Sequence, residues 1–372
     1  MVLDSKDKLR YSRHLSLPEI GREGQERLKA SRVLVVGAGG LGCPAALYLA
    51  AAGIGTIGII DPDCIELSNL QRQVLYRDSE LGLSKVEVAS ARLKENNPNV
   101  VVETYRTALS PENAFEIIQR YDLVLDATDN FTARYLVNDA CFFLRRPNVF
   151  ASVSKFEGRL SVLCLPDGPC YRCLFPETPQ DKILNCAEEG ILGAVPGVMG
   201  TLQALAALKL ILGLEDSGHR LSIFNFLNIE LKNIVLPKNT QCPLCGAHPT
   251  IRKLESRALE CHSVPEILPG DLQTFLEAEE SVHLIDVREP EDFRRGKIPG
   301  SLSVPLNVIL SDTATLPQDK VLILICQRGQ RSRIGVQHLI EKGFRGTRSL
   351  RGGLSEWPGK LERCLSTSRP QK

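Results

Sequence analysis

Three groups of residues in this sequence have the types and spacing to do chemistry: two CxxC pairs, a glycine turn followed by acids and cations, and a cysteine heading an arginine-flanked loop. GPCYRC supplies Cys170 and Cys173, and QCPLCG supplies Cys242 and Cys245. Two such knuckles offer four thiolates to one tetrahedral Zn²⁺ and leave no open position, which makes the site structural. A redox dithiol is the competing use. The wide separation of the pairs means that the metal would tie the strand-rich region from Ser152 to Pro237 back onto itself, not build a small finger for DNA. Gly37, Gly39 and Gly42 stand at GxGxxG spacing, where backbone amides and a helix N-terminus can cradle a phosphate. Asp61, further on, is placed to hold ribose hydroxyls. The loop after it carries Asp63, Asn69, Gln71 and Arg72, and GLSK adds Lys85. A nicotinamide cofactor needs few cations at its pyrophosphate, whereas a nucleoside triphosphate needs several and a metal besides. In DATDN, Asp126, Asp129 and Asn130 are hard oxygen ligands suited to Mg²⁺; the competing use is a cap on the next helix, a reading that weighs more on Asp126 than on Asp129. In CQRGQRS, the amides of a tight loop and a helix N-terminus would face Cys326, favouring a thiolate or the anionic end of a persulfide, with Arg328 and Arg331 adding charge.

The elements that must position these groups alternate strand and helix. Val33 to Val36 is a short apolar run that enters the glycines directly, as a parallel strand buried on both faces would. Leu41 to Ala52 reads as a helix, Thr56 to Ile60 as a second strand, and Ser84 to Asn96 as a second helix. A strand at Val100 to Tyr105, a helix at Glu112 to Arg120, the strand Asp122 to Ala127 and a helix at Phe131 to Arg145 follow. This alternation puts the acids of DATDN at the carboxyl edge of a parallel sheet. Val198 to Leu214 reads as a core helix. Residues 4 to 30 read as helical and amphipathic, with Arg10, Arg13 and His14 ahead of the nucleotide domain. Periodicity lapses between His248 and Pro269, a linker. A second α/β unit begins there, with a helix near Asp271 to Glu279, strands His283 to Val287 and Val321 to Ile325, and a helix from Ser332 to Lys342. The organisation expected is residues 1–248, a linker at 249–269 and a second domain at 270–372.

With 372 residues, 43% apolar and 24% charged, and a net charge of +1, the chain has the composition of ordinary two-domain globular material. No basic face or tail points to nucleic acid or a membrane surface as partner. The polar start MVLDSKDKLR is no export signal, and Gln203 and Lys209 interrupt the longest apolar helix, so no membrane span is expected. The 12 cysteines then fit a reducing compartment, the cytoplasm, better than disulfides. Cys43, Cys64, Cys141, Cys164, Cys261 and Cys364 read as packing residues.

GAGGLGCP, DPD, LSNLQRQ, GLSK and DATDN, in this order, resemble the adenylyltransferases of the ubiquitin-activating superfamily that act on small ubiquitin-like sulfur carriers in molybdopterin, thiamine and tRNA-thiolation pathways. That resemblance implies a Rossmann-like α/β adenylyltransferase domain with a Cys₄ zinc site. It implies that Gly40, Asp61, Ser68, Asn69, Leu70, Gln71, Arg72, Lys85, Asp129 and Asn130 contact ATP and Mg²⁺. Arg13 matches the family's finger arginine, which acts across a homodimer. The family also carries a cysteine at the CAEEGILG position, here Cys186, to which thioester or acyl-disulfide chemistry is assigned. From Asp271 onward, DVRE, IPGS, the six-residue loop Cys326 to Arg331 and LRGGLSEW resemble a smaller α/β domain, the rhodanese-type sulfurtransferase. Cysteine phosphatases use the same strand, loop and helix, but their loop needs an arginine six positions after the cysteine, and position 332 is serine. The histidine usual before IPG is Lys297 here.

Together the two resemblances imply a fusion that adenylates the C-terminal glycine of a Gly-Gly-ending carrier and then transfers sulfur from a persulfide on Cys326, charged by a cysteine desulfurase or by thiosulfate. Cys186 is the candidate resolving thiol. Two other readings stay open: a thioester-forming enzyme for protein conjugation with an idle Cys326, and a non-catalytic binding module with a decayed site.

Overall fold

The computed structural model describes residues 2–176, 190–214, 219–254, 264–277, 282–311, 313, 316, 317 and 321–362. The chain divides into two compact units, Met1–Arg257 and Ala258–Lys372.

The first unit opens with helices α1 (Ser5–Arg10), α2 (Ser12–Leu15) and α3 (Gly21–Ala30), so the run expected over 4–30 is three pieces. Asp4 and Asp7 close a reciprocal cap on α1. Then come β1 (Arg32–Val36), α4 (Gly42–Ala52), β2 (Thr56–Ile60), α5 (Lys85–Asn96), β3 (Val101–Tyr105), α6 (Ala114–Ile118), β4 (Leu123–Asp126) and α7 (Phe131–Leu144). β5 (Asn148–Ser154), β6 (Glu157–Leu163), α8 (Tyr171–Leu174), α9 (Ala194–Leu212), β7 (Arg220–Asn225) and β8 (Glu230–Val235) complete it. The sheet order is β3-β2-β1-β4-β5-β6-β7-β8. β1 to β5 run parallel, and β6, β7 and β8 are added antiparallel.

β1 shows how sequence dictates this packing. Its alternate residues go to opposite faces. Val33 and Val35 join one fully buried core with Leu49 and Ala50 of α4, Leu93 of α5 and Ala207 of α9. Leu34 and Val36 join another with Ile118, Val137 and Ala140. Burying each such side chain contributes about 1.5–3 kcal/mol. A strand covered twice must be apolar throughout, which is why RVLVV shows no alternation. α9 starts before the expected Val198 and ends at a left-handed Gly213. Among the described residues it is the one helix long and apolar enough to cross a membrane, and here it packs on α3, α4, β5 and β6. Gln203 is 0% exposed in its middle, and its amide donates to the carbonyls of Asp126 (2.8 Å) and Val149 (2.7 Å).

The second unit has β9 (Glu266–Ile267), α10 (Pro269–Glu277), β10 (Val282–Asp286), α11 (Pro290–Arg295), β11 (Leu302–Ser303), α12 (Leu306–Ser311), β12 (Val321–Ile325), α13 (Gln330–Glu341) and β13 (Arg348–Leu350). All five strands are parallel, in the order β11-β10-β12-β13-β9. This unit starts before the expected residue 270, because Ile267 pairs with Leu350 and is buried. The first unit runs past 248, since Ile251 is buried among the CxxC cysteines and Leu254 packs on the α7 face. The expected linker over 249–269 is thus structured at both ends.

Candidate functional site

The first sheet reverses direction between β1 and β4, the switch point at which open α/β sheets bind ligands. A cleft of about 480 Å³ opens there, and Gly40, Asp61, Arg72, Lys85, Asp129 and Asn130 all line it. The glycine turn is sterically obligatory. Gly37 has φ +100°, and a Cβ there would lie 2.7 Å from the Ala127 carbonyl oxygen at the end of β4. At Gly42 a Cβ would meet the Gly37 oxygen at 1.9 Å. Only glycine lets α4 start this close to β1, so its unpaired amides open on the cleft.

Asp61 is buried after β2. Its Oδ2 accepts from Ala38 N–H at 2.8 Å and its Oδ1 from Asp63 N–H at 2.9 Å, which locks the turn. Burial raises its pKa, and the Lys85 charge pulls it back down. Lys85 is 4% exposed at the head of α5, with Nζ 2.7 Å from Asp63 Oδ2 and 3.9 Å from Asp61 Oδ1. Asp129 and Asn130 are exposed at the cleft mouth. Asn130, not Asp126 or Asp129, caps α7: its Oδ1 accepts from Ala133 N–H at 2.8 Å. Asp126 is no metal ligand here. It is 0% exposed, burial raises its pKa, and its Oδ1 accepts the Thr128 N–H and hydroxyl at 3.1 and 2.5 Å.

Four expected ATP contacts do not line the cleft. Ser68 and Gln71 are exposed, and Leu70 packs on the core. The Ser68 carbonyl accepts from Arg72 Nη1 at 3.0 Å, and Asn69 Oδ1 accepts from Gln73 Nε2 at 3.1 Å, so this turn presents Arg72 and Gln73. Arg13 is exposed on α2 and is also absent from the cleft. α1 and α2 dock at the far ends of α4 and α5: Asn97 Nδ2 donates to Tyr11 Oη at 2.8 Å and to Ala50 O at 2.7 Å. Since α4 has 11 residues, Arg13 is about 16 Å of helix away from the glycine turn of its own chain. Sequence reasoning missed Gln73 and Arg134, which line the cleft but belong to no glycine or acid motif.

The sulfur atoms of Cys170, Cys173, Cys242 and Cys245 lie within 4.8 Å of one another. The separations of 3.3, 3.6 and 4.0 Å match the edges of a tetrahedron with Zn–S bonds of about 2.3 Å, so the four fit zinc. Arg172 stands between the first two, its Nε and Nη2 each 2.7 Å from the Asp139 carboxylate on α7. Cys186 lies outside the described residues, as do Cys261 and Cys364.

In the second unit Cys326 follows β12 immediately, and Gly329 at φ +82° starts α13. Its Sγ lies 3.4 Å from Ser332 Oγ, which also sits 2.8 Å from Ser349 Oγ. The thiol is 2% exposed and packs with Ile285, Val287 and Val336. It is the floor of the loop, more enclosed than its glycine-containing sequence suggests, and a persulfide would reach about 2 Å further. Asp286 and Arg288 of DVRE form a buried fork, with contacts of 2.8 and 3.0 Å. Arg288 Nη1 also donates to Gln327 Oε1 at 3.4 Å, which buttresses the loop. Lys297 pairs with Glu362 at 3.7 Å.

The ThiF family profile matches residues 11–244, and that of the rhodanese-like domain matches residues 268–360. The protein named adenylyltransferase and sulfurtransferase MOCS3 in Drosophila ananassae is 42% identical over 97% of this chain and 85% of its own length. Its namesake in Aedes aegypti is 41% identical over 97% and 89%. Among solved structures, E. coli MccB with ATP has a TM-score of 0.58 at 23% identity over 65% of this chain and 75% of its own, a likeness of fold alone. PaaA has a TM-score of 0.53 at 26% identity over 64% and 76%. The chain belongs to the ThiF family, and a rhodanese-like domain follows its ThiF domain.

Proposed function

We propose that this enzyme adenylates the C-terminal glycine of a ubiquitin-like sulfur carrier ending in Gly-Gly and then exchanges the adenylate for sulfur held on Cys326. The observation that carries the reading is the convergence of Gly40, Asp61, Arg72, Lys85, Asp129 and Asn130 on one cleft at the sheet's switch point. The turn amides and α4 N-terminus bind phosphate, and Arg72 and Lys85 neutralise the charge that develops as pyrophosphate leaves. Asp129 with phosphate oxygens suits Mg²⁺, which would supply further charge neutralisation there. Arg13 completes the site from a second copy, because α2 cannot bring it to its own cleft; a homodimer follows.

Sulfur transfer then needs Cys326. Its persulfide, charged by a desulfurase or thiosulfate, displaces AMP to give an acyl disulfide. Attack by a second thiol, Cys186 in this reading, releases the thiocarboxylate and leaves a disulfide that a cellular reductant restores. Such thiol chemistry places the protein in a reducing compartment, the cytoplasm. The Cys326 loop, buttressed by Arg288 and Ser332, speaks against an idle second domain and a thioester-only enzyme. The test is the mass of the carrier after incubation with enzyme, ATP and thiosulfate. It should gain one sulfur and lose one oxygen, and Cys326→Ala should abolish that gain while pyrophosphate exchange continues. An unchanged carboxylate with wild type, or a covalent carrier adduct persisting in Cys326→Ala, would overturn the reading.

A further inference from the structure

The strand order lays out the cleft floor. Crossing it from β3 to β5, one meets Leu109, Asp61, Gly37, Asp129 and Val153. A nucleotide with phosphates on the glycine turn, its Mg²⁺ at Asp129 and its ribose toward Asp61 extends to the β2–β3 side and leaves the wall beyond Asp129, toward β5, open. The second substrate must therefore enter on the β4–β5 side.

Arg134 stands on that side, one turn into α7, lining the cleft yet only 8% exposed. Its guanidinium lies over the rings of Phe150, Phe131 and Tyr171 at 5.1, 5.5 and 5.9 Å. Nη2 donates to the Thr128 carbonyl at 3.1 Å, while Nε is buried with no partner. It forms no ion pair among the described residues. Asp126 feels its charge but spends Oδ1 on Thr128 and is itself raised by burial. A buried cation with no carboxylate in hydrogen-bond contact is costly, and aromatic faces offset only part of that cost. The three rings supply no counter-charge, whereas a carboxylate matches a guanidinium in two parallel hydrogen bonds.

Resting on the adenylation reading, we propose that Arg134 receives the carrier's terminal carboxylate on the β4–β5 side of the cleft. One carboxylate oxygen then attacks the α-phosphorus, the new C–O–P bond forms, and the bond to the β-phosphate oxygen breaks with pyrophosphate as leaving group. Arg134 orients the anion; no electrons are exchanged.

The test compares binding of a Gly-Gly-ending sulfur carrier that wild type adenylates with the same carrier bearing a C-terminal amide. Wild type should prefer the acid by about tenfold or more, the worth of a charged hydrogen-bonded pair. Arg134→Met should lose the preference while keeping zinc and an ATP affinity within about twofold, since its contacts lie off the nucleotide side. Arg134→Lys, which keeps charge without the fork, should keep part of it. A full preference in either variant, or parallel losses of ATP and carrier affinity as a purely structural role would give, overturns the proposal. Failure of wild type to exchange pyrophosphate with any Gly-Gly carrier would instead remove the adenylation reading, which separates the two failures.

Discussion

The fork between Arg172 and Asp139 offers the sharpest test of how the cysteine cluster is held. Both side chains are nearly buried, at 5% and 8% exposed, and joined by two bonds of 2.7 Å. Asp139→Ala leaves the buried guanidinium of Arg172, which separates Cys170 from Cys173 along the chain, with no counter-charge, and breaking one side of a buried pair costs about 3–5 kcal/mol. For a unit of this size the urea dependence is roughly 2–3 kcal/mol per molar, so the midpoint should fall by roughly 1–2.5 M. The assay follows zinc release to a chromophoric chelator during urea titration, because a two-unit chain has no single transition. The chain's one tryptophan, Trp357, lies in the second unit, and its fluorescence should not move. Replacing the pair by Asp139→Leu with Arg172→Met should recover most of the loss, since well-packed apolar groups often substitute for a buried pair. A shift in Asp139→Ala below about 0.3 M, within the scatter of surface substitutions, would refute the reasoning.

Two further outcomes follow from the cleft. Gly37→Ala forces a Cβ to 2.7 Å from the Ala127 oxygen at a φ of +100°, so ATP binding should be lost in a chain that keeps its zinc, measured by nucleotide titration beside zinc content. Arg13→Ala and Asp129→Ala should each be inactive alone, yet subunit exchange between them should restore about a quarter of wild-type pyrophosphate exchange; no restoration would argue against a finger from the partner copy.

The parts of the site that the sequence announces are those where local geometry restricts residue type. Gly37 and Gly42 are legible because no other residue fits a turn pressed against β4, and the CxxC pairs are legible because the spacing is itself the ligand geometry. Asp126 misleads, since its place at a strand end is shared by ligands and by buried turn acids, and only burial tells them apart. Ser68 to Gln71 form a polar loop whose hydrogen bonds present Arg72 and Gln73 to the cleft, and in one dimension such a loop looks like one in which every residue lines it. Arg134 was illegible because its aromatic neighbours come from α7, β5 and α8, and nothing in its own helix marks it out. The edges of the linker were lost to two short hydrophobic contacts, Ile251 and Ile267, in stretches without periodicity.

The spacing of the cysteines also sets a timetable. Cys170 and Cys242 are 72 residues apart, and everything from α8 to β8 is threaded between them. Bringing such distant ends together in an unfolded chain costs on the order of 4 kcal/mol in loop closure. A ribosome-bound chain cannot complete the quartet until Cys245 has left the exit tunnel, by which stage every strand of the first sheet has already been made. A zinc ion taken up by this quartet would therefore arrive as a late fastener on an assembled unit, and metal starvation should trap a nearly finished first unit, not an unformed one.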